Sequence, residues 1–177
     1  VGSSNTDMVI RAEKFPLPGE TILGGEFFLF PGGKGANQAV AAARLGGKVI
    51  FVAKVGNDIF GEQATQQFKA EGIVTDYVAK DPDHPSGVAL ITVDHKGENT
   101  IVVAQGSNGT LSPNDVKKAE REFENADIVL TQLETPLETI LYVAKLAGKF
   151  NKKMILNPAP AMSLPDELFP YLYLITP

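Results

Sequence analysis

The chain has 177 residues, 44% hydrophobic and 21% charged, which is enough for one domain with a sizeable core. Its net charge of −5 and its lack of a basic run argue against a nucleic-acid partner, and no apolar run is long enough for a membrane span. It has no cysteine and only two histidines, so neither a disulfide framework nor a zinc site is expected. A cytoplasmic enzyme is the default expectation.

The first thirty residues predict short strands joined by polar loops. Residues 1–2 are typical of a strand end, 3–7 of a polar turn and 8–10 of a short apolar strand. Residues 21–30 predict a longer strand with a break at Gly24-Gly25.

Residues 30–39, called the elbow below, combine a proline, three glycines and a lysine before an alanine-rich helix. Glycines let a backbone approach a polar ligand, the helix start offers unpaired N–H donors, and Lys34 and Asn37 add side-chain donors. A Walker A loop is excluded because Gly35 follows the lysine, and a dinucleotide fingerprint because Gln38 holds the third glycine position. The elbow therefore predicts either the floor of a small-molecule site or an ordinary strand-to-helix turn.

Strand and helix patterns alternate after the elbow. Residues 35–45 predict a helix, 49–55 a buried parallel strand and 74–79 another strand. Residues 87–93 and 99–104 predict a hairpin with apolar residues on both faces. Such a hairpin either has two dry faces, one covering a ligand and the other a second subunit, or lies centrally in the main sheet.

The second half continues the alternation, which predicts an α/β fold with a Rossmann-like, doubly wound, mostly parallel sheet. Its predicted elements are helices at 112–124, from 137 and at 165–169, and strands at 128–132, 154–156 and 172–176. The β-rich segments 8–31 and 87–104 depart from this rhythm and predict a small separate sheet. The chain opens without methionine and closes directly after a strand, so we expect it to be part of a longer chain.

Polar residues follow several of the predicted strands: Asn5 and Asp7, then Lys34 and Asn37, then Glu134. Ligands of open α/β folds bind beyond the carboxyl ends of the strands, so these residues can converge on one cleft. Amides, carboxylates and an ammonium suit a ligand rich in hydroxyls. Taken singly, Asn5 or Asp7 could form an Asx-turn, and Glu134 could favour a helix start.

These motifs resemble the phosphofructokinase-B-type carbohydrate kinases. Residues of that family's first signature are Gly33, Gly35, Asn37, Ala39, Gly46 and Gly56. The run 32–42 resembles the ribokinase branch of the family, since fructokinase-like members usually lack the lysine. Segments 2–7, 15–21, 86–90, 132–134 and 156–160 also match ribokinase-like patterns.

The resemblance implies that the parent protein uses ATP to phosphorylate D-ribose to D-ribose 5-phosphate, with Mg²⁺ and K⁺ as ions. The alternatives are another sugar or nucleoside kinase of the family, or a non-catalytic sugar-binding or dimerisation fragment. The implied sugar-binding residues are Asn5, Thr6, Asp7, Gly33, Lys34, Gly35, Ala36, Asn37 and Glu134. The implied organisation is a core of 1–7, 32–86 and 105–177, with a β-lid of 8–31 and 87–104 that pairs in a homodimer.

One departure limits what these residues can do. The family's second signature, a Gly-Ala-Gly-Asp run whose aspartate is the expected base, is absent, and so is the asparagine expected after Pro177. Phosphoryl transfer depends on positioning and charge stabilisation by those parts. We therefore expect no catalytic residue and no nucleotide or metal site in this chain, and no activity from it alone.

Overall fold

A computed structural model describes residues 1–177. The strands are β1 (Asn5–Arg11), β2 (Glu26–Gly32), β3 (Ala53–Gly56), β4 (Val78–Asp81), β5 (Gly87–Val93), β6 (Asn99–Ala104), β7 (Ile128–Thr131), β8 (Lys153–Leu156) and β9 (Leu172–Ile175). The α-helices are α1 (Lys34–Arg44), α2 (Ile59–Ala70), α3 (Pro113–Lys117), α4 (Glu120–Asn125) and α5 (Leu137–Lys149). Short 3₁₀ helices span Gly106–Thr110 and Asp166–Tyr171.

The α/β core is built on parallel strands, as predicted. β3 pairs with β4, and β8 pairs with both β7 and β9, all in parallel. The first two residues join the two groups, because the Val1 amino group donates to Leu130 O (2.9 Å) and Gly2 N donates to Val52 O (3.0 Å). Val1-Gly2 therefore lies between β3 and β7, and the carboxyl ends of these strands share one edge.

Helices cover this core with small and aromatic side chains. The buried face of α1 carries Ala36 and Ala39, which let it pack closely beside Phe51 and Phe68. Those two rings meet edge to face, with centroids 5.1 Å apart. A second cluster, around α5, β7 and β8, contains 14 buried residues. No helix of the chain combines the length and the apolar character that crossing a bilayer requires.

The two β-rich segments pair with each other in one four-stranded sheet, called the outer sheet below, in the order β2-β1-β5-β6. β1 is antiparallel to β2 and parallel to β5, and β5 and β6 form the predicted hairpin. The hairpin is thus not part of the parallel sheet, so its predicted alternative, a central place in the main sheet, is wrong.

Paired residues share a face of the outer sheet, because side chains alternate along each strand. Asn5 and Asp7 lie on the same face as Phe30, Ala89, Ile91 and Val103, and this is called the Asp7 face. The opposite or Thr6 face carries Met8, Ile10, Phe27, Leu29, Leu90 and Val102.

Two predicted boundaries near the N-terminus are wrong. Residues 5–7 belong to β1 and not to a polar turn, because β2 and β5 pair with them on both sides. The strand predicted at 21–30 begins only at Glu26, since Gly24 and Gly25 take positive φ angles of 97° and 106°, outside strand geometry.

Three elements of the core have other bounds than predicted. The strands predicted at 49–55 and 74–79 form a ladder only over Ala53–Gly56 and Val78–Asp81, each ending one or two residues later than predicted, with an isolated bridge between Ile50 and Val74. The helix predicted at 112–124 is divided into α3 and α4 at Ala119, whose φ of −94° and ψ of 8° leave helical geometry.

Candidate functional site

The Glu134 carboxylate ties the start of α1 to the N-terminal segment. Its Oε2 accepts hydrogen bonds from Ser3 Oγ (2.5 Å) and from Lys34 N (2.8 Å), which leaves Oε1 for another partner. Ser3 completes the contact: its Oγ accepts from Gly35 N (3.2 Å) and its carbonyl accepts from Ala36 N (2.8 Å).

The expectation that the helix start offers unpaired N–H donors is therefore wrong. The first-turn amides of α1 at Lys34, Gly35 and Ala36 are all used inside the chain, by Glu134 and Ser3. Ligand contacts from the first turn of α1 must therefore come from side chains.

The elbow glycines serve the close approach of two backbone segments. A Cβ on Gly33 would lie 2.8 Å from Asn5 N and 2.9 Å from Ser4 Cα, and Gly33 has a φ of 90°. A Cβ on Gly35 would lie 2.7 Å from Gly2 Cα. Gly33 and Gly35 thus fix the distance between the elbow and residues 2–5.

The Asp7 carboxyl group lies directly against the backbone of Gly32. A Cβ on Gly32 would overlap the Asp7 carboxyl group, so the missing side chain makes room for it. Burial raises the pKa of Asp7, the negative charge of Glu134 raises it further, and the Lys34 ammonium partly offsets both. The charges of Glu134 and Lys34 both act on Asp7, so the three groups lie around one space.

The two predicted side-chain donors of the elbow remain available. At Lys34 and Asn37 the internal hydrogen bonds are made by the backbone amides, Asn37 N donating to Gly33 O at 2.9 Å. The Lys34 side chain is half-buried and that of Asn37 is exposed. An ammonium therefore stands beside the two carboxylates, and the Asn37 amide lies three residues further along α1.

Asn5 is buried and its side chain is held by Asn108, which the sequence analysis did not single out. Asn108 Nδ2 donates to Asn5 Oδ1 (2.8 Å) and to Ser4 O (3.0 Å). Asn108 lies in a run of Gly, Ser and Asn that is typical of a turn, so no local pattern distinguishes it. Ser3 was likewise missed, since a lone serine carries no signal.

Thr6 is the predicted residue whose side chain lies apart from this cluster, because strand alternation turns it to the opposite face. A cavity of about 790 Å³ also lies mainly there, between Leu29, α1 and α2. It reaches Asn5 and Asn37 but not Asp7, Lys34 or Glu134. We place the candidate site at the polar cluster, since Glu134 and Lys34 both act on the Asp7 carboxyl group there.

The polar cluster suits hydroxyl recognition better than metal binding. It offers two carboxylates as acceptors, an ammonium and two amides, and each sugar hydroxyl can both donate and accept. No three His, Asp or Glu side chains of the chain are grouped to hold a metal ion.

Comparison with known proteins identifies the class of this fold and site. The model of the pfkB family of carbohydrate kinases matches residues 1–177, so the chain belongs to that family. It is 44% identical over 177 residues to the ribokinase of Haemophilus influenzae, of which it covers 58%. It is 40% identical over 162 residues, 92% of its own length, to the deoxyribokinase of Salmonella typhi, of which it covers 53%.

A solved structure agrees with these relatives. The ribokinase of Arabidopsis thaliana complexed with ribose and ATP superposes with a TM-score of 0.87 at 31% identity, over 98% of this chain and 57% of that one. The α/β fold is thereby confirmed. The chain spans only between half and three fifths of the length of these proteins.

The packing of the elbow predicts a large difference between two glycine substitutions. Gly35→Ala should lower the free energy of unfolding by about 2–4 kcal/mol, because the new Cβ meets backbone that cannot rotate away. Gly109→Ala is the matched control, since the nearest atom to its Cβ would be Gln105 Oε1 at 3.4 Å. Urea unfolding measures both, and equal effects would contradict the packing described here.

The charges around Asp7 predict opposite shifts of its pKa. Glu134→Gln should lower the pKa of Asp7, and Lys34→Met should raise it, because the first removes a negative and the second a positive neighbour. NMR titration of the Asp7 carboxyl carbon measures the shift. Lys69→Met, on α2, is the control and should leave this pKa unchanged; shifts of the same sign in the two site variants would refute the arrangement.

Proposed function

We propose that the full-length protein is a ribokinase, which transfers the γ-phosphoryl group of ATP to D-ribose and forms D-ribose 5-phosphate. The observation that carries this proposal is the cluster of Asp7, Glu134 and Lys34, charged groups suited to hydroxyls, in a chain 44% identical to a ribokinase. The Arabidopsis relative, described as complexed with ribose and ATP, supports the same choice of substrates.

In the proposed complex the two carboxylates accept hydrogen bonds from sugar hydroxyls. Asp7 and Glu134 Oε1 are the acceptors, and the amide of Asn37, the amide of Asn5 and the Lys34 ammonium are the donors. Gly33, Gly35 and Ala36 form the floor of the proposed sugar site, because their contacts with Ser3 and Ser4 fix the position of the elbow. The Thr6 side chain does not contact the sugar in this proposal, and Thr6 contributes to the site only as part of the β1 backbone.

We propose that segments 8–31 and 87–104 form a lid over the sugar, above a core of 1–7, 32–86 and 105–177. The lid would present Phe30, Ala89, Ile91 and Val103 to the sugar side, because these share a face with Asn5 and Asp7. An apolar cover excludes water, which would otherwise compete with the sugar as phosphoryl acceptor.

ATP, with Mg²⁺ and K⁺, completes the proposed reaction, but the residues described here do not fit a metal site. We therefore assign no step of this chain's chemistry to those ions. The base and the phosphate-binding run are expected in the remainder of the longer protein, so this chain alone should bind sugar without phosphorylating it. A cytoplasmic location is proposed with the same function.

The Thr6 face of the outer sheet supports a homodimer. Five large apolar side chains on it are each more than 45% exposed: Ile10, Phe27, Leu29, Leu90 and Val102. A patch of this kind on a sheet face is typical of a protein interface. A second copy of the same sheet is the proposed partner, since an isologous pair covers both patches at once.

Deoxyribose phosphorylation is the second candidate function, because a deoxyribokinase is 40% identical over 92% of the chain. The two sugars differ only by the 2-hydroxyl. A site built to hydrogen-bond a hydroxyl rejects the analogue that lacks it. We therefore expect kcat/KM for ribose to exceed that for 2-deoxyribose by at least about 100-fold.

The ribose assignment predicts a specific effect of Asn37. Asn37→Ala in the full-length protein should raise KM for ribose and lower kcat, reducing kcat/KM by about 10- to 100-fold, since a hydroxyl contact is lost. A coupled ADP assay with ribose, 2-deoxyribose, fructose and nucleosides measures it. Asn125→Ala, at an exposed helical asparagine that bonds only Arg121 O, is the control. An unchanged kcat/KM in Asn37→Ala would refute the site.

The proposed dimer predicts that a charge placed on the Thr6 face weakens the association of the two subunits. Leu90→Glu should convert the protein from dimer to monomer at micromolar concentration, because a buried unpaired carboxylate is costly. Sedimentation velocity measures the mass. Ile59→Glu is the control, since Ile59 is 63% exposed at the start of α2 and is not a residue of the outer sheet. A monomeric unsubstituted protein would refute the proposed interface.

A further inference from the structure

The amide of Asn108 has only one possible orientation. It is 1% exposed and makes three hydrogen bonds with the N-terminal segment. The backbone N–H of Ser4 donates to one side of it at 2.8 Å, and only an oxygen can accept that bond, so this side is Oδ1. The other side is therefore Nδ2, which faces Ser4 O at 3.0 Å and the Asn5 side chain at 2.8 Å.

The orientation of Asn5 follows from that of Asn108. Nδ2 of Asn108 carries two hydrogens, one directed to Ser4 O and one to Asn5. The Asn5 atom that meets it must accept, so it is Oδ1. The Asn5 NH₂ group is then directed away from Asn108. A fixed backbone N–H at Ser4 thus orients two amides in succession.

Gly87 makes room for this pair. It stands opposite Asn5 in the parallel ladder between β1 and β5. A Cβ at position 87 would overlap both Asn108 Nδ2 and Asn5 Oδ1, and it would lie 3.0 Å from Gln105 O. Any side chain at this position would therefore separate the two amides.

We propose that Asn108 is a positioning residue for substrate recognition: it holds the Asn5 amide so that Asn5 presents a hydrogen-bond donor, and not an acceptor, to the sugar. The ligand atom at Asn5 is then an acceptor, a hydroxyl or ring oxygen. This last step rests on the proposed function. The orientation of the two amides does not.

The orientation can be tested without activity, in the full-length protein labelled with ¹⁵N-asparagine. The Asn108 NH₂ resonance should be strongly protected from hydrogen exchange, because both of its hydrogens are bonded. The Asn5 NH₂ resonance should exchange freely and should become protected when ribose is added. Protection of Asn5 NH₂ in the free protein, or an unprotected Asn108, would overturn the proposal.

Two substitutions test the effect on recognition. In Asn108→Asp at pH 8, a carboxylate should draw the Asn5 NH₂ towards itself, so that Asn5 presents its oxygen to the sugar. KM for ribose should rise about tenfold or more while kcat changes less, because a donor is replaced by a repelling acceptor. Asn108→Ala, which leaves Asn5 free to turn, should raise KM by a smaller factor.

Ser107→Ala is the matched control. Ser107 is buried in the same 3₁₀ helix and donates to Lys54 O (3.1 Å), and its side chain has no hydrogen bond to Asn5 or Ser4. It should lower Tm and leave KM for ribose unchanged. An equal rise of KM in Ser107→Ala, or an unchanged KM in Asn108→Asp, would overturn the proposal. If the protein does not phosphorylate ribose but the exchange pattern of the free amides is as described, the proposed function fails and the amide orientation stands.

Discussion

The arrangement of the site depends on one carboxylate. Glu134 meets Ser3 and Lys34, which lie 131 and 100 residues away in sequence, and so joins the ends of three separate chain segments. A carboxylate accepting from the first N–H of a helix is also favoured by the partial positive charge at that end. The same group thus stabilises the start of α1 and stands among the proposed sugar ligands.

The glycines make this contact possible. Gly33 and Gly35 let the elbow lie directly on residues 2–5, and Gly32 leaves space for the Asp7 carboxyl. Backbone atoms therefore set the distances between the acceptors and the donors. Side chains such as Asn37 do not hold these backbone segments together. Substituting them therefore changes the ligand contacts more than the fold.

Much of this could be predicted from sequence, because hydrophobic periodicity and glycine spacing are local signals. They placed the parallel strands, the hairpin and the elbow helix, and strand-end polarity placed Asp7, Lys34 and Glu134 together. Residues 5–7 were misassigned because their strand geometry comes from β2 and β5, partners distant in sequence. Asn108 could not be found, since its role is defined only by the amide it meets in space.

β1 follows directly on the N-terminal core segment and enters the outer sheet, and its side chains alternate between the two faces of that sheet. Asn5 and Asp7 lie on one face, and Met8 and Ile10 on the other. In the proposed dimer, one strand would therefore touch both the sugar and the second subunit. Ligand binding and association would then be linked. If dimer formation raises the affinity for ribose by some factor, bound ribose must raise the association constant of the dimer by the same factor.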